Sequence, residues 1–290
     1  MKYNVLRKLI RRLIVLALLL LICPILMFYY SKSIEPKLLD MNQYTISSKF
    51  VSKKMEGLKI VQFSDTHLGS DYSLEQLQNL VEKINEQNPD LIVFTGDLID
   101  NSSLYRDINN IAPILKQLQA KYGKYAIYGN HDVGGAGKRV YANVLTNSDF
   151  TILENEHKTI TLEDNSVLTI VGLDDYLLGK PNPQEAFTKV QKNSFTLLLA
   201  HEPDIADRLT DYPIDLQLSG HSHGGQVKLP FHQAIYTPPL ATKYTEGLYE
   251  ISKSFKPMTL YVNRGIGTTR LPVRFFSVPE ISVFRLESGK

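Results

Sequence analysis

The chain has almost no cysteine. One thiol, Cys23, occurs in 290 residues, so an intrachain disulfide is excluded. It also lacks a charge excess: 32 Lys and Arg stand against 30 Asp and Glu, a formal +2. That balance gives no general basic surface, and non-specific nucleic-acid binding is not expected. There is no internal repeat and no low-complexity tract. With 43% hydrophobic and 21% charged residues, wholesale disorder is excluded as well. The near-neutral total hides an asymmetry. Lys2, Arg7, Lys8, Arg11 and Arg12 lie in the first twelve positions, which hold no acid. From residue 13 onward 27 basic residues face 30 acidic ones, leaving a slightly acidic body at −3.

Charge is absent from a longer stretch too. Leu13–Tyr30 is an uncharged run, LIVLALLLLICPILMFYY, about 27 Å long as a helix and close to the hydrocarbon thickness of a bilayer. A cleaved signal and a retained anchor are the competing readings. Signal cores are shorter, and no A-x-A-like site follows. Phe28, Tyr29 and Tyr30 suit a membrane–water interface. Ile22 before Cys23 and Pro24 after it do not fit a lipidated cysteine, and Arg11-Arg12 reads as a plain basic flank rather than a twin-arginine signal. The expectation is one transmembrane helix in the cell membrane. By the positive-inside rule its N-terminus is cytoplasmic and residues 31–290 lie outside. The chain then divides into a flank and anchor (1–30), a linker (31–42) and one domain (43–290).

Within that domain strand and helix patterns alternate. Leu58–Phe63, Leu91–Thr95 and Tyr125–Tyr128 read as strands. Between the first two, Leu74, Leu77, Leu80, Val81 and Ile84 form a helical stripe; between the second and third, Ile108, Ile111, Leu115 and Leu118 suggest a helix starting near Pro113. The later half is richer in strands: Thr159–Leu162, Val167–Val171, Phe195–Ala200, Ile214–Leu218, Met258–Asn263 and Ile281–Leu286. The class is α/β.

Five of these strands run into polar residues of one chemical kind. They end in Ser64-Asp65-Thr66-His67, Gly96-Asp97, Gly129-Asn130-His131-Asp132, His201, and Gly220-His221-Ser222-His223. Ligands in open α/β sheets bind beyond the carboxyl ends of strands, so Asp, Asn and His are delivered to one edge. Asp65 and His67, like His221 and His223, are two apart, which on an extended segment points both side chains the same way. Singly each motif is weak: GD is often a turn, and GNHD suits the left-handed turn conformation. The ordered set is specific. GHSHG also fits a nucleophile elbow at Ser222, but Gly224-Gly225-Gln226-Val227-Lys228-Leu229-Pro230 is a poor helix start, so Ser222 is read as a spacer.

These motifs, with LAHEPD, GHSHGGQ and the tail NRGIGTTRLPVRFFSVPEI, resemble the calcineurin-like metallophosphoesterase superfamily, and specifically its membrane-linked bacterial phosphodiesterase branch. The resemblance implies a four-layer α/β/β/α sandwich and two divalent cations. It would place Asp65, His67 and His223 on one, with Asp97 bridging, and Asp97, Asn130, His201 and His221 on the other. Oxygen and imidazole donors suit Mn, Fe or Zn. The implied reaction is in-line attack on phosphorus by a hydroxide held between the cations. His131 would stabilise the transition state or protonate the leaving group, Asp132 would orient His131, and Asp100 is a candidate support. Arg264 and Arg274 are candidate substrate contacts because guanidinium forks onto phosphate. His157 and His232 receive no role. The implied activity is that of an anchored phosphodiesterase acting on envelope or lipid-linked phosphoesters, with no protein partner. A UDP-diacylglucosamine pyrophosphatase-like hydrolase and a non-catalytic scaffold are the alternatives.

Overall fold

A computed structural model describes residues 2–135, 137–229, 234–252 and 257–289. The central strands are buried at successive residues, and because side chains alternate between the two faces of a strand, each sheet has two apolar faces to cover. The first mixed sheet contains β1 (Asp40–Ser48), β2 (Lys59–Phe63), β3 (Leu91–Phe94), β4 (Lys124–Ala126), β5 (Phe150–Ile152) and the C-terminal β12 (Glu280–Ser288). Its order is β1-β12-β2-β3-β4-β5, with β2 to β5 mutually parallel. The second contains β6 (Glu156–Thr161), β7 (Val167–Gly172), β8 (Phe195–Leu199), β9 (Leu216–Ser219), β10 (Gly247–Ile251) and β11 (Met258–Val262). Its order is β10-β11-β9-β8-β7-β6, with β7, β8, β9 and β11 parallel.

Three apolar cores separate four layers. Val61 and Phe63 of β2 face the helices α2 (Leu74–Asn85), α3 (Ile111–Leu115), α4 (Asn130–Val133) and α5 (Gly137–Asn147), packing with Leu77, Leu80 and Tyr141. Ile60, on the opposite face of β2, packs between the sheets with Phe195, Leu197 and Leu199 of β8. Leu198 faces the other way, onto Ile205, Ala206 and Leu209 beside the second sheet. The α/β/β/α sandwich is therefore present, with a thin fourth layer made by α6 (Pro183–Ala186) and the 3₁₀ segment Pro203–Arg208. The stripe from Leu77 to Ile84 is the buried face of α2, which opens with a Ser73–Gln76 capping box.

Two local expectations change. The helix placed near Pro113 begins earlier: a 3₁₀ turn, Ile108–Asn110, runs into α3 at Ile111. Pro113 then falls in the first turn, where its missing N–H has no intrahelical partner to lose. β1, β5 and β10 lie outside the expected strand set. β1 has one fully buried side chain, Ile46, and pairs with β12 at the far end of the chain.

The N-terminal helix α1 spans Lys2–Ser33. Its apolar stretch is exposed all round, with a mean hydropathy of 2.7 over the best window. Its C-terminal end is built into the domain. The Arg274 N–H donates to the Ser31 carbonyl at 2.8 Å, and Tyr30 meets the Phe275 ring edge-on. Glu35, fully buried, accepts from the Phe276 N–H at 3.0 Å and from the Ser277 N–H.

Candidate metal centre

The parallel strands place their carboxyl ends side by side, and the expected residues follow them. Asp65 and His67 leave β2, Asp97 leaves β3, His201 leaves β8, and His221 and His223 leave β9. All six are buried, and their donor atoms fall into overlapping groups within 4.8 Å: Asp65, His67 and His223; His67, Asp97 and His131; Asp97, His201 and His221. Asp97 sits at the junction. Its Oδ2 is 3.4 Å from His67 Nε2 and 3.3 Å from His201 Nε2. His223 Nε2 lies 3.6 Å from Asp65 Oδ1 and 3.1 Å from His67 Nε2.

The way these side chains converge is not the expected one. Asp65, His67, Asp97, His221 and His223 have φ of 52°, 43°, 60°, 67° and 52°, in the left-handed region rather than extended. Non-glycine residues held there cost about 1–3 kcal/mol each and persist where the surroundings over-determine them. The two pairs spaced two apart behave differently. Asp65 and His67 stay together, whereas His221 and His223 part, one to each end of the centre. Ser222 between them caps the short 3₁₀ turn His223–Gly225, accepting from the Gly224 N–H, as suits a spacer. Gly129 permits the close approach of two of these loops, because a Cβ there would collide with the Asp97 carboxylate and the His201 ring.

Backbone carbonyls fix the imidazole tautomers. His201 donates from Nδ1 to the Thr95 carbonyl at 2.6 Å, and His221 donates from Nε2 to the Pro239 carbonyl at 3.0 Å. Each ring then directs its other nitrogen inward, the arrangement of a metal-binding histidine. Burial, His67 and Arg274 hold His223 well below the usual imidazole range, and burial with His201 pushes His221 down to about 4, so both imidazoles are neutral, the form that can bind a metal. Burial opposes ionisation of Asp97, but His201, His131 and His67 outweigh it and hold the carboxyl well below its usual value. Burial raises Asp65. Asn130 Oδ1 and His201 Nε2 are buried without a hydrogen-bond partner. Unsatisfied buried polar atoms aimed into a ring of carboxylates and imidazoles fit a pair of divalent cations.

His131 differs from the other site histidines in being partly exposed, at 28% of its side chain. Its Nδ1 donates to the Asp100 carbonyl at 2.7 Å and its N–H to Asp97 Oδ1 at 2.9 Å. The Asp100 carboxylate lies 3.5 Å from His67 Nδ1 and 3.7 Å from His131 Nδ1, between the two rings. Asp132 has a different task from the expected one. Its carboxylate accepts from the N–H groups of Asp97 at 2.7 Å, Gly129 at 2.9 Å and Leu98 at 3.0 Å. It therefore braces the loop carrying Asp97, and the Asp100 carbonyl orients His131.

Neither expected arginine lines the cavity over the centre. Arg264 donates to Glu280 at 2.8 Å and to Asp40 at 3.1 Å. Arg274, fully buried, donates to the carbonyls of Gly267, Ser277 and Arg264. Every side-chain nitrogen of Arg274, and Nε and Nη2 of Arg264, thus bond within the protein. Arg270 instead lines the cavity of about 560 Å³ over the centre, together with Asn130, His131 and His221. It donates to the Tyr236 hydroxyl at 2.8 Å and stacks over that ring. The sequence held all three arginines within eleven residues and offered no sign of which lined the cavity. Arg270→Ala is expected to raise KM for phosphoesters about 10-fold or more while leaving metal content intact. Arg274→Met is expected instead to lower Tm by several degrees, because carbonyls left unpaired in the interior each cost about 1–3 kcal/mol. Steady-state kinetics and thermal melts on the two variants separate these roles. His157 lies on β6, donating to the Ala186 carbonyl, and His232 is outside the described residues.

A two-sheet sandwich with carboxylate, carboxamide and imidazole donors gathered at its strand ends defines a metal-dependent phosphoesterase. Residues 58–225 match the family model for calcineurin-like phosphoesterases. The chain belongs to that family. It is 46% identical over 259 residues to the uncharacterized metallophosphoesterase YkuE of Bacillus subtilis, covering 89% of each chain. It is 30% identical over 321 residues to the UDP-2,3-diacylglucosamine pyrophosphatase LpxG of Chlamydia muridarum, covering 90% of this chain and 93% of that one.

Proposed function

We propose that the chain is a membrane-anchored phosphodiesterase with a dinuclear centre, acting outside the cytoplasm on envelope or lipid-linked phosphoesters. The observation that carries this reading is Asp97, whose one oxygen lies within 3.4 Å of histidines from two donor groups. Asp65, His67 and His223 would hold one cation and Asn130, His201 and His221 the other, with Asp97 shared. The chemistry such a pair supplies is Lewis acidity, which activates water and neutralises phosphoryl charge. His131, at the exposed lip, is placed to give a proton to the departing oxygen. Arg270 would hold a non-bridging phosphoryl oxygen. Asp132 positions the Asp97 loop through its bonds from the Asp97 and Leu98 N–H groups. Mn, Fe and Zn all suit this donor set.

The anchor reading is supported by the packing of Tyr30, Ser31 and Glu35 into the domain, which makes the end of α1 part of the fold. The basic residues before the apolar run support a cytoplasmic N-terminus. A pyrophosphatase reading is favoured by one observation, the 30% identity to a protein named for UDP-2,3-diacylglucosamine. A scaffold role is disfavoured by the complete donor set. The full chain in detergent, loaded with Mn²⁺, is expected to bind two cations and to hydrolyse a phosphodiester faster than a monoester. A metal-loaded protein inert towards diesters, monoesters and pyrophosphates would overturn the proposal.

A further inference from the structure

The cavity over the metal centre does not end there. Its wall of Val227, Leu271 and Val273 is shared with a second cavity of about 460 Å³. That one is also lined by Met27, Phe28, Ser31 and Lys32 from the last turns of α1, and by Phe275. Apolar side chains thus line adjoining cavities between the metal donors and the exposed apolar helix. Around it Leu229, Ile235, Tyr236, Leu271 and Phe276 are all exposed. Single exposed apolar side chains are ordinary, but several on one rim backed by cavities mark an interaction site. The helix cannot drift from this rim, because Ser31 and Glu35 are hydrogen-bonded to Arg274, Phe276 and Ser277 of the loop that forms it.

We infer that the two cavities are one groove for the hydrocarbon chain of a membrane amphiphile, whose phosphoester head lies at the metal centre beside Arg270. The inference rests on the reading above of an anchored phosphoesterase and names the substrate class for that site. The occupant follows from the surroundings. A bilayer around α1 presents hydrocarbon chains where Met27 and Phe28 line the groove, and Lys32 stands at the level of lipid head groups. A polar partner would find no matching donors or acceptors along Val227, Leu271, Val273 and Phe275. The groove accordingly selects by chain length, while the metal centre selects phosphoesters.

The test uses the full chain in phospholipid nanodiscs with Mn²⁺. For 4-nitrophenyl alkyl phosphodiesters, kcat/KM is expected to climb with alkyl length, approaching about fourfold per methylene where burial is complete. Leu271→Asp is expected to flatten that slope. A slope that is flat in the unsubstituted protein, or unchanged in Leu271→Asp as simple partition into lipid would give, overturns the groove. A second measurement is independent of turnover. A dodecylphosphonate with a terminal diazirine is expected to cross-link residues 227–229 and 271–275, in competition with dodecylphosphonate but not butylphosphonate. Labelling confined to residues 3–26 overturns the groove. Labelling as expected without hydrolysis of any diester leaves the groove standing and removes the proposed reaction.

Discussion

Asp97→Asn is expected to lower kcat/KM about 10³-fold or more, equivalent to about 4 kcal/mol of transition-state stabilisation, and to reduce bound metal from two cations per chain to at most one. The substitution is nearly isosteric, so the fold should survive it. The carboxylate has no substitute in this geometry. Its Oδ2 stands between His67 and His201, at 3.4 and 3.3 Å, while Oδ1 already accepts the His131 N–H. An amide keeps one acceptor. Turned to satisfy the His131 N–H, it aims an NH₂ at the point where two cations would need a shared anion; turned the other way, it sets two N–H donors against each other. The alternative ligands cannot shift to compensate, because Gly129 packs directly on Asp97 and two backbone N–H groups, of Asp97 and Leu98, tie this loop to Asp132. Metal analysis and steady-state kinetics on the same preparation check the expectation. Two tightly held cations and activity within tenfold of the unsubstituted protein would remove Asp97 from the bridging position.

The centre was readable in the sequence because its residues belong to the ends of parallel strands. A continuous apolar run such as Leu91–Phe94 announces a doubly covered strand, and the polar residues after it then share an edge with those of its neighbours. What the sequence could not carry is geometry fixed across long separations. The left-handed backbone at Asp65, His67, His221 and His223 is imposed by neighbouring loops: the Asp65 N–H donates to the Gly96 carbonyl and the His67 N–H to the Asp97 carbonyl. Period-two reasoning therefore grouped His221 with His223, and the structure divides them. The arginines show the same limit. Arg264 is satisfied by Glu280 and by Asp40, 224 residues away in sequence, and Arg274 by carbonyls of its own loop. β1 was hidden for a related reason, since an edge strand with polar faces has no periodic signal and gains its place from β12.

His131→Ala is expected to act on turnover alone, retaining both cations and losing about 10²–10⁴-fold in kcat, the range for removal of a general acid. Its ring is the partly exposed one at the centre, and the Asp100 carbonyl occupies Nδ1, so Nε2 is the nitrogen available to a substrate. A proton donor matters most when the departing oxygen is strongly basic. The loss should therefore be large for an alkyl alcohol leaving group and much smaller for 4-nitrophenolate, whose negative charge is stable without a proton. Equal losses for both leaving groups would assign His131 to phosphoryl charge stabilisation instead. Loss of one cation would make it a ligand, a role its position within 4.8 Å of His67 and Asp97 donor atoms also permits. The three outcomes differ in metal content and leaving-group dependence, and one pair of substrates with one metal assay distinguishes them.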